Sequence, residues 1–225
     1  RANLLRAVSH DLRTPLTTIY GSSSMLLEDF DRYSPEDQKN LLRGIRDDAQ
    51  WLVGMVENLL SVTRLDGGEL RLNKTDTVLE ELIDAVLVKF RKRCPEQPVD
   101  ILIPDDFVSI PMDAVLIEQV LANLLENAVI HAEGMTRLEL LVRTQDHQAR
   151  FTVRDNGCGI REDRLEDLFT GYLGSSDRQG DAARRNMGIG LSVCATIIKA
   201  HGGQITARNP PGGGAEFTFT MTMEE

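Results

Sequence analysis

Ser9-His10-Asp11-Leu12-Arg13-Thr14-Pro15 puts an ionisable nucleophile, a neighbouring carboxylate and a hydroxyl on one stretch of helical pattern. Thr14 follows His10 by one turn and shares its face, whereas Asp11 lies about 100° around the axis. A neutral imidazole flanked in this way can attack an electrophile or accept a proton. Pro15 offers no N–H to the carbonyl of Asp11 and crowds it, so a bend is expected just past the histidine. Taken alone, these residues suit an exposed helical histidine beside an unrelated aspartate equally well.

A second group of polar residues stands more than a hundred positions away. Asn123, Asn127 and His131 recur every fourth residue and form one stripe on a helix whose other faces carry Val120, Leu121, Leu124, Leu125 and Val129. Asparagine is a poor helix former, but its amide oxygen is a neutral hard ligand for Mg²⁺ and its NH₂ can bond phosphate oxygens. Asp155-Asn156-Gly157-Cys158-Gly159-Ile160 ends a strand on a carboxylate, followed by glycines that let the backbone turn sharply and approach a flat ligand. That carboxylate can accept from an exocyclic amine such as adenine's. Gly188-Ile189-Gly190-Leu191 opens an apolar helix whose N–H groups and positive dipole end suit phosphates. Gly212-Gly213-Gly214 precedes the last strand and fits a hairpin turn or a pocket wall equally well.

The elements that must position these groups fall into two parts. Leu5, Val8, Leu12, Ile19 and Leu26 follow a heptad seam in which Pro15 and Ser22 take alternate positions, and Leu42, Ile45, Ala49, Leu52, Val56, Leu59 and Thr63 alternate steps of three and four. Between the two seams, Ser34 suits an N-cap and Pro35 a first helical position. The reading is an antiparallel all-α hairpin over residues 1–66, too exposed along its seam to stand alone and completed as a homodimeric four-helix bundle. His10 falls off the seam. Past Asp66-Gly67-Gly68 the pattern changes to helices at 76–92, 113–131 and 189–201 and strands at 99–103, 137–144, 148–155, 203–209 and 215–221. A domain over 69–225 is expected, built as an α/β sandwich with helices on one sheet face. Residues 170–188 lack apolar periodicity and suit a lid.

Bulk properties exclude some partners. With 41% hydrophobic and 27% charged residues, the 225-residue chain suits a soluble protein of one or two domains. A net charge of −10 argues against a nucleic-acid groove, so an anionic ligand must be held by local amides, helix ends or a metal. Cys94, Cys158 and Cys194 make no metal spacing and fit a reducing compartment. No apolar run reaches membrane-helix length. The chain opens without Met and already in helical pattern, so an upstream helix and a sensor or membrane part are expected before it.

In their order, these segments resemble the cytoplasmic catalytic core of a bacterial sensor histidine kinase over nearly the whole chain. SHDLRTPLT is similar to the phosphoacceptor box, NLLENA at 123–128 to the N box, DNGCGI to the adenine-binding box, Leu168-Phe169-Thr170-Gly171-Tyr172 to the phenylalanine box, and MGIGLSVC to the second glycine box. The wording of the first box is reminiscent of potassium-responsive sensor kinases. The resemblance implies the ATP-binding fold shared with gyrase, His10 as the phosphorylated residue, Asp11 polarising its ring, and Thr14 positioning water to dephosphorylate a response regulator. It further implies that Asn127 binds Mg²⁺, that Asp155 selects adenine, and that Asn123, His131, Gly157, Gly159, Ile160, Phe169, Gly188, Gly190 and Leu191 line the ATP pocket. Where ATPases of this fold carry a water-activating Glu, this chain has Asn123, which favours a kinase over a hydrolase. Two positions depart from the family. Ile130 replaces a Lys or Arg that often reaches a phosphate, leaving the charge to His131 or to Arg178, Arg184 or Arg185. Asn186 stands where the second glycine box usually begins with Gly.

The expected activity is ATP-dependent autophosphorylation of His10, falling below about pH 6 as the imidazole protonates, followed by transfer to a response-regulator aspartate. The expected partners are a second copy and the regulator. The core is expected in the cytoplasm, with the full-length protein at the inner face of the cell membrane. Two alternatives stay open: a pseudokinase that binds nucleotide weakly and only dimerises, and a chaperone-like ATPase. His201 is expected to cap a helix C-terminus and complement its dipole, and Trp51 to pack in the bundle or against the neighbouring domain.

Overall fold

The computed structural model describes the backbone of residues 2–66, 72–169 and 187–223, and the side chains among them except those of 2–11, 51, 55, 57–66 and 187–189. Expectations for the side chains of His10, Asp11 and Trp51, for the lid with Arg178, Arg184 and Arg185, and for Asn186 lie outside the described residues. Packing divides the chain into two units, Arg1–Leu60 and Ser61–Glu225.

In the first unit α1 (Ala2–Asp29) runs continuously through Pro15, and a 3-10 turn at Phe30–Arg32 leads to α2 (Pro35–Asp66). The start signal at Ser34 works as its chemistry requires. Its Oγ accepts from Asp37 N–H at 3.1 Å and donates to the Asp37 carboxylate at 2.6 Å, while Gln38 Nε2 ties the turn to the carbonyls of Phe30 and Tyr33. On α1 the seam positions Leu12, Pro15, Ile19, Ser22 and Leu26 are all buried or half-buried. On α2 the seam is shifted. Leu41, Ile45, Asp48 and Leu52 are half-buried, whereas Leu42, Ala49 and Val56 are exposed. The expected seam thus mixed two faces of one helix, because a helix in a bundle carries apolar residues towards its hairpin partner and towards a further neighbour. Asp48 lies on the inner face. Its carboxyl pKa is raised, first by desolvation and then by the charge of Asp47.

The second unit is a sheet with helices on one face. Strands β2 (Asp100–Leu102), β4 (Leu138–Gln145), β5 (Gln148–Asp155), β6 (Gln204–Arg208) and β7 (Glu216–Thr222) lie in the order β2-β4-β5-β7-β6, antiparallel except for the β2–β4 pair. The β4–β5 hairpin turns on Asp146 and His147, both at positive φ (51° and 60°), as a two-residue loop matched to strand twist requires. Leu138, Leu140, Val142, Ala149, Phe151, Val153, Phe217, Phe219 and Met221 point into the core, where Phe151 stacks on its cross-strand neighbour Phe219 at 4.7 Å. Helices α3 (Leu79–Arg93), α4 (Ala114–His131) and α6 (Met187–Ala200) pack in that core, and a short α5 spans Glu162–Leu165.

One difference lies at the start of α3. Residues 76–78, expected within a helix, belong to β1 (Thr75–Val78), paired antiparallel with β3 (Ser109–Met112). Thr75, Thr77 and Val78 are β-branched and favour this pairing, and Pro111 is tolerated because the two-stranded ribbon is all edge.

His201 corrects a second expectation. It does follow α6, and Gly202 (φ +80°) and Gly203 complete the cap with N–H bonds to the carbonyls of Lys199 and Ile198. The imidazole itself is buried and neutral, however. Nδ1 meets the carbonyl of Ile197 at 2.8 Å and Nε2 accepts from the Asp113 N–H at 3.1 Å, which fixes the tautomer and joins the end of α6 to the start of α4. Burial lowers its pKa most, with smaller opposing effects from the Ile197 bond and Asp113 and a further lowering from Lys74. The ring acts through hydrogen bonds, not through positive charge. A His depressed in the folded state contributes stability present above about pH 6.5 and lost as pH falls towards its folded pKa. The urea midpoint of the wild type should therefore drop more between about pH 7.5 and about pH 5.5 than that of His201→Gln. Equal drops would contradict this assignment.

Candidate functional site: a nucleotide pocket and an acceptor helix

Asp155 ends β5 with its side chain buried at 4% exposure. Among the described residues, both hydrogen bonds to its carboxylate fall on one oxygen: Oδ1 accepts from Gly157 N–H at 2.9 Å and Ala215 N–H at 3.2 Å. Oδ2 is left to accept from a ligand N–H. The backbone is held too, since Asp155 N–H donates to the Ala215 carbonyl at 3.0 Å. Gly214 is what allows this approach. At φ +81°, a Cβ there would sit 2.0 Å from the Asp155 carbonyl oxygen. The glycine run lies in the loop that joins the antiparallel strands β6 and β7, as its hairpin reading expects, and the same loop lies against Asp155.

The loop after Asp155 lies against the C-terminal end of α4. A Cβ on Gly157 would stand 2.7 Å from that of Ala132, and Cys158 Sγ donates to the His131 carbonyl at 3.4 Å. This packing brings the asparagine stripe of α4 and the DNGCGI segment together. One turn before His131, Asn127 has a buried Nδ2 with no hydrogen-bond partner among the described residues. A buried amide left unsatisfied costs about 1–3 kcal/mol and calls for a ligand to meet it. Asn123 contributes differently. Its Nδ2 lies 3.9 Å from Cys194 Sγ on α6, a thiol that burial pushes up to about 12 and thereby keeps inert.

Two asparagines shape the same loop, Asn156 within the DNGCGI segment and Asn209, which carries no signal in the sequence. Asn156 Oδ1 accepts from the N–H groups of Thr136 and Arg137 at 2.9 and 2.8 Å, and its Nδ2 donates to Thr136 Oγ1. Asn209 bonds both backbone groups of Ile160. Ile160 is half-buried. Phe169 is also half-buried and meets Phe217 edge-on, with centroids 6.5 Å apart. Gly188 and Gly190 lie in the first turn of α6, and a Cβ on Gly190 would meet open space. Leu191, expected at the pocket, has its side chain fully buried, where it seats that turn in the core. Ile130 is exposed.

On α1, Thr14 is half-buried and its carbonyl accepts from Thr18 Oγ1 at 3.2 Å. Arg13, Thr14, Thr17 and Thr18 line an open depression of about 380 Å³. No group of His, Cys, Asp and Glu among the described residues could hold a metal by itself. A metal in the pocket would therefore rest on the Asn127 amide and on ligand phosphates, a donor set that suits Mg²⁺.

Comparison with known proteins agrees with this geometry. Residues 112–225 match the family of histidine kinase-, DNA gyrase B-, and HSP90-like ATPases, and residues 1–68 match the His Kinase A (phospho-acceptor) domain. The chain belongs to the histidine kinases. More particularly, over all of its length it is 36% identical to the sensor protein KdpD of Clostridium acetobutylicum and 32% identical to that of Escherichia coli. It spans 25% and 24% of those proteins, about a quarter of their length. The structure of the histidine kinase AdeS of Acinetobacter baumannii superposes with a TM-score of 0.72 at 25% identity, covering 96% of this chain and 98% of that one. No helix among the described residues is long and apolar enough to cross a membrane.

If Asp155 Oδ1 organises the pocket, Asp155→Ala should leave two N–H groups without an acceptor and lower unfolding stability by about 1–3 kcal/mol. Gly214→Ala should cost at least as much, since backbone must move away from its Cβ and φ is unfavourable. Urea unfolding measures both. Wild-type stability in either variant would contradict the packing described.

Proposed function

We propose that this chain is the catalytic core of a sensor kinase that transfers the γ-phosphoryl group of ATP to His10 and then to an aspartate of a response regulator. The observation that carries the reading is the buried, unsatisfied Nδ2 of Asn127 beside a loop whose Asp155 leaves Oδ2 open. The Nδ2 donor suits a phosphate oxygen, and the open carboxylate oxygen suits the amine of adenine. The other unit contains His10 in SHDLRTPLT, within the matched phospho-acceptor domain.

In this mechanism Asp155 and the loop 157–160 hold the base, and the N–H groups at the start of α6 face the phosphates. Asn127 would hold a magnesium ion, whose chemistry is to offset the charge gathering on the leaving diphosphate. Asp11 keeps the His10 ring in the tautomer that carries its proton on Nδ1. Nε2 then attacks the γ-phosphorus in line, the P–N bond forms as the bond to the β-phosphate oxygen breaks, and ADP leaves. Thr14, one turn from His10, would orient water for dephosphorylating the regulator. Gly188, Gly190, His131 and Phe169 complete the pocket in this reading.

The bundle would be a homodimer. Leu16, Tyr20 and Leu27 on α1, and Leu42, Val53 and Val56 on α2, are apolar and exposed in a single copy, and a second hairpin would bury them. The core would work in the cytoplasm, joined to a membrane-associated part of the longer protein.

Incubation with γ-labelled ATP should yield an acid-labile, base-stable phosphoprotein in the wild type and none in His10→Gln. Calorimetry should show ATP binding in His10→Gln and its loss in Asn127→Asp. Self-labelling by His10→Gln would overturn the assignment of the acceptor.

A further inference from the structure

We propose that Asn209 is a positioning residue for the nucleotide base, acting through the peptide of Ile160. The inference rests on the ATP reading above and concerns a residue that touches the loop and not the ligand.

Asn209 follows β6 on the way to the glycine run. Its side-chain amide pairs with both polar groups of one backbone residue: Oδ1 accepts from Ile160 N–H at 2.8 Å and Nδ2 donates to the Ile160 carbonyl at 2.6 Å. Only a side chain with donor and acceptor side by side, Asn or Gln, can match a residue's backbone in this way. The neighbouring glycine follows from the same contact. Gly159 stands at φ +75°, and a Cβ there would lie 3.0 Å from both Asn209 Oδ1 and the Gly214 carbonyl.

Residues 209–215 therefore grip the loop at its two ends. Ala215 N–H holds Asp155 Oδ1 at the start, and the Asn209 amide holds Ile160 at the finish. Asp155 offers the polar contact for a base and Ile160 the apolar one. A rigid aromatic ring that uses both needs them at a fixed separation, which the grip at Asn209 supplies before the ligand arrives. The Asn209 bonds are exposed, unlike those of Asp155. Water can replace them when the side chain is removed, so the effect should fall on the loop's preorganisation and leave domain stability nearly unchanged.

The test compares wild type with Asn209→Ala and the isosteric Asn209→Asp, which keeps one acceptor but faces the Ile160 carbonyl with another. Calorimetry with ATP and ADP, KM and kcat of self-labelling, and thermal unfolding are measured on the same chain. The expected result for Asn209→Ala is a loss of roughly tenfold in affinity, equal for ATP and ADP because the base is common to both. KM should rise by the same factor with kcat at saturating ATP and Tm nearly unchanged, and Asn209→Asp should lose at least as much. Wild-type affinity, a loss confined to ATP, or a fall in kcat at constant KM would overturn the proposal. Should Asn209→Ala fail to fold, the role is more than positioning and the proposal fails unless Asn209→Asp, folded, reproduces the equal loss. A wild type that binds no adenine nucleotide refutes the ATP reading itself, whereas wild-type binding matched by Asn209→Ala refutes only this role.

Discussion

A buried carboxylate must be satisfied, and among the described residues Asp155 meets that need with one oxygen only. Two N–H groups, from Gly157 and Ala215, converge on Oδ1. Much of the surrounding sequence follows from this constraint. Gly157 must lack a side chain to lie on Ala132, Gly214 must lack one to pass the Asp155 carbonyl, and β7 must begin where Ala215 can pair with the end of β5. The consequence is a second oxygen that is held in place but not consumed. A binding group fixed before its ligand arrives loses little entropy on association.

The helical unit shows a different economy. Its inner seam on α1, Leu12, Pro15, Ile19 and Leu26, is buried or half-buried within one chain, while large apolar residues remain outside. A half-finished bundle is a physical reason for association, because burying an aliphatic side chain is worth about 1.5–3 kcal/mol relative to exposure. His10 belongs to this unit and the DNGCGI loop to the other.

Local signals in the sequence carry much of the structure. The Ser34-Pro35 helix start, the β4–β5 hairpin and the stripe on α4 each rest on residues a few positions apart, and the structure forms them. The DNGCGI loop is legible only in company with the other segments, because a carboxylate followed by glycines after a strand also suits an ordinary turn. What escaped depended on distance. Asn209 meets Ile160 across 49 residues, and nothing in its own neighbourhood distinguishes it from a turn residue before Pro210. β1 and β3 pair across residues 79–108, which include α3, and Pro111 disguises the second strand. On α2 the period was right but the face was not, since steps of three and four describe two adjacent stripes equally well.

The central claim is that the open oxygen of Asp155 reads the amine of adenine and so defines an ATP site. Inosine triphosphate tests it directly, because it keeps the ring, sugar and phosphates and replaces that amine with a carbonyl, which would confront a carboxylate. Calorimetric titration of the wild type with both nucleotides should give a preference for ATP of at least about a hundredfold, as expected when a buried polar group is left opposed. Equal affinity for the two would contradict the account.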